Sequence, residues 1–160
     1  MAKLASEVGL QKASLYHLFP GGKVEMARAV IRYVLDGFGR FGKSTSTPAE
    51  RFESLLADFH RYFGSAETSC LLGSLALSRP DETLQMELRE AFGRWRGTLV
   101  ELQTLSGRDE ASAVLAAEAA IFQLEGSLVL ARGLGDATIM DRALASLPAL
   151  LGFASKAPSS

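Results

Sequence analysis

The chain has 160 residues, 48% hydrophobic and 22% charged, with a formal net charge of -1, which describes an ordinary soluble chain with apolar side chains enough for a sizeable core. A single cysteine, Cys70, excludes a disulfide framework and suits a reducing cytosol. Charge is unevenly spread: seven basic and three acidic side chains precede residue 44, a formal +4, and ten basic and fifteen acidic ones follow it, a formal -5.

No alternating strand pattern persists, and the chain reads as helical almost throughout. Leu4, Ala5 and Val8 share a face of a short first helix that Gly9 ends, with no continuous apolar core of the kind a signal peptide has. Leu15 and Phe19 share a face of a second short helix, stopped by Pro20-Gly21-Gly22. From Lys23 to about Phe41 the apolar residues Ala27, Val30, Ile31, Val34, Phe38 and Phe41 recur every three or four positions, the mark of an amphipathic helix facing a core.

Gly42 to Thr47 is the clearest break, and Thr47-Pro48-Ala49-Glu50 then reads as a capping box with proline in the first turn. The helix that follows carries Phe52, Leu55, Leu56, Phe59, Tyr62 and Phe63. Cys70 to Leu77 is a short apolar piece ended by Arg79-Pro80. Leu84, Leu88, Ala91, Phe92, Trp95, Leu99 and Leu102 mark the next helix, closed by Ser106-Gly107.

Asp109 caps a helix that runs to about Leu134, the most apolar stretch of the chain. Glu118 and Glu125 interrupt it and argue against a membrane span, so it is expected to be buried by protein on most sides. Its small residues, Ala113, Ala116, Ala117, Ala120, Gly126 and Ser127, allow close helix approach. The last helix, Thr138 to Leu151, adds Ile139, Leu144, Leu147, Leu150 and Leu151. The pair can form a four-helix interface with a second copy, or an intrachain core. The tail from Ser155 to Ser160 is expected to be disordered.

The expected fold is therefore all-α. Two short helices turning at Gly9-Leu10 make a helix-turn-helix candidate whose second helix would enter a DNA major groove. That puts Gln11, Lys12 and Ser14 at base edges or nearby phosphates. Tyr16, His17 and the amides around Lys23 would hold phosphates at the positive end of the next helix. The basic N-terminal charge suits this role, although scattered solvated charge explains it equally well. Packed or solvated surface is likewise the competing reading for each of the six residues.

Met1 to Met26, MAKLASEVGLQKASLYHLFPGGKVEM, resembles the helix-turn-helix of the tetracycline-repressor family. That family's pattern is an apolar-Ala-x-x-Ala-Gly-Val-Ser stretch, then Leu-Tyr-x-x-Phe and a turn ending in lysine, with Leu15, Tyr16, Phe19, Gly22 and Lys23 in register here. Three features depart from it: Gln11 replaces a capping serine, at a cost of about 1 kcal/mol, Leu18 stands where many members are polar, and the family's first helix would precede Met1. The natural start is therefore expected upstream, with a truncated head as the alternative.

The resemblance implies a helix-turn-helix head with its linking helix over residues 1–43, a helical ligand-binding and dimerisation domain over 44–155, and a tail over 156–160. It further implies a cytoplasmic repressor that is a homodimer through its last two helices, binds a double-stranded DNA operator, and is released by a small apolar or aromatic effector. Phe59, Tyr62, Phe63, Cys70, Phe92, Trp95, Phe122 and Gln123 are the candidates for lining the effector site, with plain core as the alternative. Cys70 to Leu77 resembles a subgroup that regulates drug or flavonoid responses.

Enzyme readings find little in the sequence. His17 and His60 belong to no metal-spaced cluster, and neither a phosphate loop nor a nucleophile elbow occurs. Glu118 and Glu125, seven apart on one helix, could share a carboxylate site but have no Glu-x-x-His beside them. No metal, cofactor or membrane is expected. The rival class is a dimeric ligand-binding or interaction module that has lost DNA binding.

Overall fold

A computed structural model describes residues 12–41, 47–64 and 70–153. Among them the chain is all helical, without a strand. The order is α1 (Lys12–Leu18), α2 (Gly22–Phe41), α3 (Pro48–Phe63), α4 (Leu71–Leu77), α5 (Glu82–Leu105), α6 (Glu110–Leu134) and α7 (Thr138–Leu151). The expected helix around Leu4, Ala5 and Val8, Gln11, the Gly42 to Ser46 break and the tail lie outside the described residues.

Helix starts follow local chemistry. Thr47 and Glu50 form a reciprocal capping box, with the Thr47 N–H donating to Glu50 Oε2 at 2.8 Å and the Glu50 N–H to Thr47 Oγ1 at 3.3 Å. Asp81 accepts from the Leu84 N–H at 2.8 Å and Asp109 from the Ser112 N–H at 2.9 Å, which fixes the first turns of α5 and α6. At the far end of α6 Gly135 takes φ +65°, a left-handed conformation suited to glycine, and turns the chain into α7.

α6 and α7 pack as an antiparallel hairpin through Ala113, Ala117, Ala120 and Leu124 on one side and Met140, Leu144 and Leu147 on the other, all fully buried. The alanines let the two backbones approach closely. α5 runs through the middle, its Trp95, Leu99 and Leu102 buried between α6 and the α2–α3 side. Gln103 is a buried polar staple: its Nε2 donates to the Leu99 carbonyl at 2.9 Å and the Ala113 carbonyl at 3.3 Å. Its Oε1 accepts from Arg108, which also reaches the Leu150 carbonyl, so the ends of α5, α6 and α7 are tied by satisfied hydrogen bonds.

α6 departs from the expectation that protein covers most of it. Leu115, Phe122 and Val129 are 69%, 70% and 73% exposed and recur every seven residues, with Leu130 and Leu134 exposed beside them. Only the face through Ala117, Ala120, Leu124 and Leu128 meets the body, so the high apolarity of the helix reflects two apolar faces rather than complete burial.

Candidate DNA interface and effector site

α2 connects the N-terminal turn to the body. Its Ile31 is buried, Ala27, Val34 and Leu35 pack against the core, and Arg28 Nε lies 3.2 Å from Glu87 of α5. At its start, Leu15 anchors α1 inward while Tyr16, His17 and Leu18 stay outside. The Phe19 N–H donates to the Leu15 carbonyl and the Gly22 N–H to the Phe19 carbonyl, both at 2.9 Å, which closes the turn between α1 and α2. Gly22 takes φ +68°, and a Cβ there would stand 3.7 Å from Tyr16 Cε1. The tyrosine ring therefore lies over the turn, next to the exposed Lys23.

Lys12 opens α1, and Ser14 is half-buried two residues before Tyr16, on nearly the opposite side of the helix. The sequence reasoning missed Glu25, whose Oε2 accepts from the Gly21 N–H at 2.7 Å. An acidic residue in the first turn of a helix was the available signal.

In the body, Trp95 organises an aromatic cluster. Its ring lies 6.1 Å from Phe59, 6.4 Å from Phe63 and 6.2 Å from Phe92, and Tyr62 meets Phe63 edge-on at 4.9 Å. Phe59, Phe63 and Trp95 are buried, whereas Tyr62 sits at the edge. Cys70, the residue before α4, is buried and hydrogen-bonded to Glu125 of α6. Burial, reinforced by the carboxylate, pushes its thiol up to about 12, so it is not a reactive thiolate at neutral pH. Burial also raises Glu125, an effect partly opposed by the thiol hydrogen bond, and raises the Tyr62 phenol, to which Cys70 and Glu125 add.

The structure thus brings together Phe59, Tyr62, Phe63, Phe92, Trp95 and Cys70, but not Phe122 or Gln123. Phe122 lies two residues from Leu124, roughly 160° around the helix, on the exposed face of α6. Gln123 joins α6 to α7, donating to the Ala143 carbonyl at 2.9 Å and to Ser146 Oγ. Nor do Glu118 and Glu125 share a site: Glu118 pairs with Arg96 of α5 at 2.9 Å, while Glu125 faces Cys70. Among the described residues no group of three His, Cys, Asp or Glu side chains could hold a metal ion.

Residues 48–146 match the family model described as the C-terminal domain of LmrA/YxaF-like transcriptional regulators. The chain belongs to the TetR family of transcriptional regulators. A relative from Bacillus subtilis (strain 168), the HTH-type transcriptional regulator LmrA, is 26% identical over 157 residues, covering 93% of this chain and 84% of the relative. The crystal structure of a TetR transcriptional regulator from Legionella pneumophila superposes with a TM-score of 0.73 at 22% identity, over 92% of this chain and 83% of that one, which supports the all-α fold. The matched stretch begins at Pro48, the first residue of α3.

Proposed function

We propose that this TetR-family regulator is a cytoplasmic, dimeric repressor that binds a double-stranded DNA operator through residues 1–43 and leaves it when a small apolar or aromatic effector binds within residues 44–155. The observation that carries the DNA reading is the turn between α1 and α2, where Tyr16 covers Gly22 beside Lys23 while Leu15 is buried. Lys23 supplies a charge at the positive end of a 20-residue helix, and the amides that follow Gly22, whose own N–H is taken by the Phe19 carbonyl, supply donors that suit a DNA phosphate. Gln11, Lys12 and Ser14 precede or open the helix that would face base edges, and His17 adds a further phosphate contact.

The exposed α6 stripe supports dimerisation, since two copies would bury Leu115, Phe122 and Val129 against one another, with α7 alongside. The cluster around Trp95 supports an effector site next to α4, which also packs against α2. An effector that shifts α4 would therefore tilt α2 and change the spacing of the two heads on successive major grooves.

The test is fluorescence anisotropy on a duplex DNA pool across a salt series. Tyr16→Phe and Lys23→Ala should weaken binding to all sequences, with Lys23→Ala reducing the salt slope by about one, whereas Gln11→Ala and Lys12→Ala should change preference among sequences. Unchanged binding in all four variants would overturn the interface, and absence of DNA affinity in the parent would leave a ligand-binding or interaction module.

A further inference from the structure

Glu125 is an expensive residue for the middle of an apolar helix. One of its oxygens, Oε1, is inaccessible to solvent and has no hydrogen-bond partner among the described residues. The other, Oε2, lies against Gly73 of α4 so closely that a Cβ there would stand 2.6 Å from it and 3.2 Å from the carboxyl carbon. Among the described residues the side-chain donor that the carboxylate meets is the Cys70 thiol, a weak one. A buried acceptor left unpaired costs free energy that an apolar residue would avoid, and its charge adds a cost that a glutamine would avoid.

The surroundings give that cost a use. Tyr62 interacts electrostatically with Cys70 and Glu125, its ring meets Phe63 edge-on, and Phe63 stacks on Trp95, so Tyr62 links the carboxylate to the aromatic cluster. A carboxylate beside aromatic rings is the chemistry that holds an organic ammonium, by an ion-paired hydrogen bond and by attraction to the ring faces. The element covering it is slight. α4 has seven residues, no side-chain hydrogen bond at its start and Leu72 as its only fully buried residue, and a helix that short depends on its neighbours for stability.

We propose that Glu125 is the polar anchor of the effector site and selects an aromatic molecule carrying one protonated amine, which enters as α4 shifts off the carboxylate. The proposal rests on the effector reading above and names the chemistry of the same site. The ammonium donates to Oε1, its aromatic part packs on Tyr62 and the Phe63–Trp95 pair, and Gly73 gives the backbone of α4 room to close again over the carboxylate. A carboxylate-bearing analogue meets Glu125 with like charge, and a neutral one leaves Glu125 without its cation.

Trp95 is the sole tryptophan in the sequence, so energy transfer from it reports occupancy directly. The probes are three compounds with one ring system: 9-anthracenylmethylamine, 9-anthracenemethanol and 9-anthroate. Transfer from Trp95 to anthracene should give the amine a Kd at least tenfold below that of the alcohol, with the anion weakest. Glu125→Gln should bring the three affinities within threefold of one another, and Glu125→Asp should keep the order. Equal binding of all three to the parent protein, or an amine preference that survives Glu125→Gln, would overturn the anchor while leaving an effector site. No transfer with any of the three would remove the effector site and the anchor with it. Circular dichroism melts of both variants confirm that each is folded.

Discussion

Phe122→Glu should turn the protein into a monomer. The ring is 70% exposed on α6, and a phenylalanine side chain offers about 200 Å² for burial, so about 140 Å² per protomer awaits cover. At about 25 cal/mol per Å² this is up to about 3.5 kcal/mol per protomer and about 7 kcal/mol per dimer. If the interface recovers only half of it, the substitution still costs about 3.5 kcal/mol, more than a hundredfold in Kd, before the cost of burying two glutamates is counted. Sedimentation velocity from nanomolar to micromolar concentration reads the outcome: the parent should sediment as a dimer at micromolar concentration and the variant as a monomer. Tyr33→Glu supplies the control, because Tyr33 is equally exposed, at 71%, but lies on α2 and should leave the dimer intact. A Phe122→Glu variant that dimerises like the parent would refute the α6 interface.

Leu144→Ala, at a position with no exposure between α6 and α7, should cost about 2–5 kcal/mol through the cavity it leaves. The thermal midpoint would then fall by roughly 5–15 °C, and a fall under 2 °C would contradict the packing described. Glu125→Gln should stabilise the protein at neutral pH, because burial raises this carboxyl above its ordinary value near 4.5 and charging it in place is unfavourable. The parent loses stability relative to the variant as pH rises from that ordinary value through the raised one, so melts at pH 4 should coincide and melts at pH 8 should favour the glutamine; a gap that grows toward low pH would refute this. Arg79 holds φ +56° between α4 and α5, a conformation that glycine adopts without steric cost. Relief of about 1–2 kcal/mol of left-handed strain exceeds the roughly 0.5–1 kcal/mol of backbone entropy that glycine adds to the unfolded chain, so Arg79→Gly should raise stability by up to about 1 kcal/mol in urea unfolding. A loss of stability would show that the arginine makes a contact that outweighs the strain.

Helix boundaries were legible because the sequence states them chemically. The Thr47–Glu50 box, Asp109, Gly135 and the three-to-four spacing of α5 each fix an element by interactions within a few residues. What was not legible depends on which neighbour each face meets. The apolarity of α6 is the same whether its second face lies inside a core or awaits another chain, so composition alone predicted burial where Phe122 is exposed. The aromatic spacing gave Phe59, Tyr62 and Phe63 as one stripe, but only the crossing of α3 with α5 brings them to Trp95. Glu118 and Glu125 share a helix face by spacing, yet Arg96 reaches one and Cys70 the other, and those partners come from segments distant in sequence. Nothing in the sequence marks Gln103, because its buried role needs the α6 and α7 ends around it.

The most direct test of the account is selection of duplexes from a random DNA pool by this protein, followed by sequencing of what it retains. A dimeric helix-turn-helix regulator predicts enrichment of an inverted repeat whose half-site centres lie a whole number of helical turns apart, about 10 base pairs or a multiple. Lys12→Ala should shift the enriched half-site, and Phe122→Glu should abolish the repeat. A pool that emerges without enrichment would contradict the central claim that the head around Tyr16 and Lys23 reads DNA.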